Sequence, residues 1–125
     1  MNVEKQIQYW IDATNENVDV AEYLINGKKT VECLFFSHLA LETMLKAHLT
    51  KFTKQTPPKI HNLISIADKA NVELDDQTRN FFSIMNKFQM EGRYRNELVE
   101  RPPLEIAKNY FAVTKQKLQW LNQML

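Results

Sequence analysis

Apolar side chains recur every three to four positions through most of the chain. Near its start they fall at Val3, Ile7, Trp10, Val18, Ala21 and Ile25, with Thr14 as a weak position in the same row. This is the spacing of an amphipathic helix and predicts one over about residues 3–26. Gly27 stands where the left-handed residue that closes a helix is expected, and Lys28 and Lys29 suit the negative end of its dipole. A second stripe, Val31, Leu34, Phe35, Leu41, Leu45, Leu49 and Phe52, predicts a helix from about Thr30 to Phe52. Pro57 and Pro58 exclude helix in the loop that follows. A short helix over about 62–71 carries Leu63, Ile66, Ala67 and Ala70 on one side, with Asn62 as its cap. Asp75 caps the next, which bears Phe81, Phe82, Met85 and Phe88 and ends near Gly92. Residues 91–103 read as a charged connection, and Pro103 suits the first position of the last helix. That helix shows Leu104, Ala107, Phe111, Thr114, Leu118, Leu121 and Leu125, widened by Ile106, Tyr110, Val113 and Trp120. Four long helices, one short helix and no strand make an all-α fold, a helical bundle.

Composition narrows this picture. The chain has 125 residues, the size of one domain, and only two glycines. The usual glycine share is about 7%, and sandwiches, barrels and phosphate-cradling loops depend on it. The net charge of +1 gives no support to nucleic-acid binding through bulk basicity. Cys33 is the only cysteine and no Cys/His cluster has zinc spacing, so neither a disulfide nor a metal centre is expected. The longest apolar run is Cys33-Leu34-Phe35-Phe36, and the first residues lack a secretory pattern. The expectation is a soluble, cytoplasmic protein with no membrane partner.

Two groups of polar residues stand out. The centre of the second helix's apolar stripe passes through His38 and Glu42, with Lys46 beside it. Steps of four residues put Glu42 within reach of both neighbours. A buried carboxylate needs a partner, so two readings stand: an interior hydrogen-bond network, or one wall of a binding cleft. The other group is Arg93, Arg95 and Arg101, three of the chain's four arginines, with Tyr94 between the first two. Guanidinium groups clasp phosphates and tyrosine stacks on bases. Glu91, Glu97 and Glu100 balance that segment, so a salt-bridged surface loop is the other reading. Lys51, Lys54 and Lys59 read as solubility, His48 as a partly exposed filler at the margin of its stripe, and Cys33 as a packed side chain. His61, ahead of the cap Asn62, reads as a residue that packs or bonds to a neighbouring loop.

The stretch Phe36 to Leu49 resembles the second helix of HEPN domains, whose pattern Ala-x-Glu-x-x-x-Lys-Ala-x-Leu is met by Ala40, Glu42, Lys46, Ala47 and Leu49. His61-Asn62-Leu63 is similar to the family's His-[Asp/Asn]-Leu element, and Gly92-Arg93-Tyr94 to its Ala-Arg-Tyr element. With Trp10 in the first helix, the resemblance covers nearly the whole chain. It implies an up-and-down antiparallel bundle, often a homodimer and often partnered with a minimal nucleotidyltransferase. Many members are ribonuclease toxins using Arg-x(4–6)-His across the dimer. Here Arg95-Asn96-Glu97-Leu98-Val99-Glu100 carries glutamate in the histidine's place, and no histidine follows His61. A carboxylate repels phosphate and does not titrate near neutrality as histidine does.

The resemblance therefore implies the family's non-catalytic branch, with no catalytic residue and no cofactor. The expected function is a dimeric module binding a nucleotide, an RNA or a nucleotidyltransferase partner, in a toxin–antitoxin-like or defence system. Arg93, Tyr94, Arg95, His38, Glu42 and Lys46 are the candidate binding residues. The alternatives are a metal-independent ribonuclease with a degenerate site, and a purely structural dimerisation or adaptor protein.

Overall fold

A computed structural model describes residues 1–89 and 100–125. Among them the chain forms α1 (Val3–Asn26), α2 (Thr30–Thr53), α3 (Leu63–Lys69), α4 (Asp76–Met85), a 3₁₀ turn over Asn86–Phe88, and α5 (Leu104–Gln123). No strand occurs among the described residues. The helical bundle is the one that the apolar spacing predicts, but α4 stops short of the expected end near Gly92. The α-helix closes at Met85, the chain tightens into the 3₁₀ turn where the Asn86 side chain bonds Leu63 and Asn62, and Gln89 is extended.

The caps explain several boundaries. Asn2 accepts from the Lys5 N–H at the start of α1, Asn62 from Ile64 and Ser65 at α3, and Asp75 from Thr78 at α4. Pro103 takes the cap position of α5, one residue before the helical position expected for it.

Gly27 corrects the sequence reading. It is right-handed at φ −88°, and Lys28 takes the left-handed conformation at φ 61°. The reason is register: the Lys29 N–H reaches back to the Leu24 carbonyl and the Lys28 N–H to Ile25. That pair of bonds puts the left-handed residue at Lys28. Asn71 closes α3 in the same way at φ 58°, and Lys54 closes α2 at φ 58°. A Cβ in this region costs an L-residue roughly 1 kcal/mol, which glycine avoids. Lys28→Gly is therefore expected to raise stability by about 0.5–1 kcal/mol, read as a higher urea midpoint with unchanged slope. An unchanged or lower midpoint would contradict the strain.

The centre of the bundle is α2. It packs against α1 along its length and also touches α5, α3, α4 and the 3₁₀ turn. Every residue from Ala40 to Thr50 is buried, polar ones included. A helix apolar on one stripe needs one neighbour; this one is enclosed on all sides. Phe52, expected in the stripe, is instead 58% exposed, as is all of α2 from Lys51 on. The weak position Thr14 is also explained, since its hydroxyl meets that of Thr43 across the α1–α2 contact at 2.7 Å.

Candidate functional site

The four-residue steps of α2 set His38, Glu42 and Lys46 in one line. The double proline ends the approach from α2, and the chain turns so that His61 lies back over Glu42. Lys46 Nζ lies 3.0 Å from Glu42 Oε2, and His61 Nδ1 is 3.2 and 3.1 Å from the two carboxylate oxygens. Lys46 also sits 5.7 Å from the centroid of the Trp10 ring on α1, a cation–π distance. His38, Glu42 and Lys46 are 1%, 5% and 6% exposed. The His61 side chain is 33% exposed and forms the cluster's outer face.

His38 extends the cluster to the 3₁₀ turn. Its Nε2 lies 3.3 Å from Asn86 Oδ1, which also accepts from the Leu63 N–H at 3.0 Å. The backbone donor fixes which end of the Asn86 amide is oxygen, so Nε2 carries the ring proton. Nδ1 is then bare, 3.8 Å from Glu42 Oε1 and beyond hydrogen-bond range. Burial pushes the His38 pKa down to about 4 against the pull of the Glu42 charge, so the ring is neutral at pH 7. The Asn86 Nδ2 donates to Asn62 Oδ1 at 3.2 Å, which ties the cap of α3 to the same network.

The structure thus brings the three α2 candidates together and pairs them with one another and with His61 and Asn86. Glu42 meets the desolvation cost of its carboxylate with an ammonium and an imidazole, and the cluster pins the 54–62 loop and the 3₁₀ turn to α2. The other candidates, Arg93, Tyr94 and Arg95, lie outside the described residues. The chain leaves the described part at Gln89, three positions after Asn86. Where it returns, Arg101 is held by Glu32 of α2, with Nη1 3.0 Å and Nη2 3.5 Å from its two oxygens.

His48 differs from its expected partial exposure. It is 8% exposed, and its Nε2 donates to the Leu121 carbonyl at 2.9 Å, which bridges α2 to the end of α5. Its place on α2 is covered by the close of α5, which the stripe of α2 alone does not reveal. Asn86 and Trp10 were not legible as members of the Glu42 cluster, since they come from 44 positions later and 32 positions earlier in sequence. The Cys33 thiol is buried and pushed up to about 11 by desolvation, so it stays protonated and inert at pH 7.

Among the described residues no group of three His, Cys, Asp or Glu is placed to hold a metal ion. No helix among them is long and apolar enough to cross a membrane. Comparison with family models matches residues 7–124 to the HEPN domain. Comparisons with curated proteins and with solved structures give no match.

Proposed function

The chain belongs to the HEPN domain family, and from that membership we propose that it is a non-catalytic, homodimeric module that binds RNA or nucleotide phosphates through Arg93 and Arg95, with Tyr94 as a stacking surface. The observation that carries this reading is the placement of the three histidines. His38 is bonded to Asn86, His48 to Leu121 and His61 to Glu42, each inside the bundle's own network. With Glu100 standing in the position of the toxin histidine, the family's usual proton donor to a scissile phosphate is replaced by a carboxylate. Binding does not need one. Arg101 is engaged by Glu32, so the reading assigns phosphate and base contacts to Arg93, Tyr94 and Arg95. A minimal nucleotidyltransferase is the proposed protein partner, in a toxin–antitoxin-like or defence setting.

The test is calorimetry with single-stranded RNA over a range of salt, beside a cleavage assay on the same RNA. Wild type is expected to bind and not to cut. Replacing both Arg93 and Arg95 with alanine should weaken binding about tenfold or more and reduce the salt slope by about 1.4, two phosphate contacts' worth. Cleavage by the wild type, or equal affinity in the double variant, would overturn the reading.

A further inference from the structure

We infer that the hollow between α2, the turn joining α3 to α4, and the end of α5 is a binding site for a small organic ammonium ion with a flat apolar body. It shares no lining residue with the Glu42 cluster, and it goes beyond the RNA-binding reading.

The hollow has a volume of about 620 Å³, within the range of small-molecule sites. Val72, Trp120 and Met124 supply its apolar wall, and among aromatic side chains an indole attracts a cation best. Glu73 carries the one formal charge among the described lining residues, and that charge is negative. The floor is His48. Its Nε2–H is committed to the Leu121 carbonyl, so in the neutral ring Nδ1 is a lone-pair acceptor, and no described protein group bonds to it. Burial, with the nearby Lys51 charge adding to it, lowers the His48 pKa against that hydrogen bond and keeps the ring neutral. Lys51 itself directs its ammonium to the Leu125 carbonyl. The negative end of the α5 dipole closes the same side.

An aromatic side chain, a carboxylate, a histidine lone pair and a helix carboxyl end all favour a positive, hydrogen-donating guest. Asn71, left-handed at φ 58°, holds the turn that carries Val72 and Glu73 over the hollow.

The chain has two tryptophans, so Trp10→Phe leaves Trp120 as the sole indole reporter. In that background, phenethylammonium is expected to change Trp120 emission saturably, with a midpoint on the order of 1 mM. Phenethyl alcohol, the neutral counterpart, should bind at least about tenfold more weakly. Glu73→Gln should weaken the amine about threefold or more with no change in urea midpoint. In the unaltered chain, the amine should also shift the backbone amide resonances of Asn71, Val72 and Glu73, a readout independent of the Trp10 replacement. No saturation by the amine, equal binding of the alcohol, or unchanged amine affinity in Glu73→Gln would each overturn the assignment.

Discussion

Glu42→Ala is expected to destabilise the fold by about 3–5 kcal/mol, the largest single loss available at an ionic position. Alanine removes the carboxylate that Lys46 Nζ meets at 3.0 Å and leaves an ammonium buried beside Trp10, with no anion in its place. It also frees His61 from its bond to both oxygens, and so loosens the 54–62 loop. A whole domain is stable by only about 5–15 kcal/mol, so much of the chain would be unfolded at 37 °C. The discriminating partner is the double replacement Glu42→Met with Lys46→Met. Because a buried ion pair roughly breaks even against apolar packing, the double variant should recover all but about 1–2 kcal/mol. Urea unfolding followed by circular dichroism measures both. A single-variant loss below about 1 kcal/mol would show that the pair is solvated.

The second large effect is on pH. The His38 pKa falls from its ordinary value of 6.5 to about 4 in the fold, chiefly through burial, with Glu42 opposing. Between those values the unfolded chain takes up a proton that the native ring refuses. Stability is therefore intact above pH 6.5 and lost as pH falls toward 4, by about 2 kcal/mol between pH 6.5 and pH 4.5. The groups facing His38 are Glu42 on its own helix, His61 from the loop and the neutral Asn86 from the 3₁₀ turn. His48 is lowered too, so its contribution has the same sign. Asp75, held low by the Thr78 N–H, adds its loss only below the ordinary carboxylate value. The check is the urea midpoint at pH 7 and pH 4.5 for wild type and His38→Gln. The variant should show a flatter dependence, and parallel curves would exclude His38 as the source.

Helices were legible because their signals are local. Apolar spacing and the caps Asn62 and Asp75 act within one or two turns, and the structure follows them to within a few residues. Glu42 was legible as an anomaly for the same reason: a charge in an apolar row must be reconciled wherever the row faces. What it faces is a long-range fact. Asn86 reaches His38 across 48 positions and His48 reaches Leu121 across 73, and no feature of those polar residues announces the partner. Phe52 and Gly27 were misread because each stands at a helix end, where the local pattern no longer decides the conformation or the burial. The stripe carries on in sequence into the exposed last turn of α2, and a glycine near a helix end attracts a role that hydrogen-bond register gives to the next residue.

The enclosure of α2 also governs how this protein can change over time. Side-chain hydrogen bonds and packing from α1, from the 54–62 loop, from the 3₁₀ turn and from α5 converge on α2, whereas α1 and α5 meet each other little, through contacts such as the exposed Lys115–Glu22 pair at 3.9 Å. Energies of residues without shared partners add, and those of residues in one network do not. Substitutions on the outer helices are therefore nearly independent of one another, free to drift or to acquire new surfaces singly. A change in the middle of α2 has to be accommodated by several elements at once, which makes that helix the part of the bundle least tolerant of single substitutions.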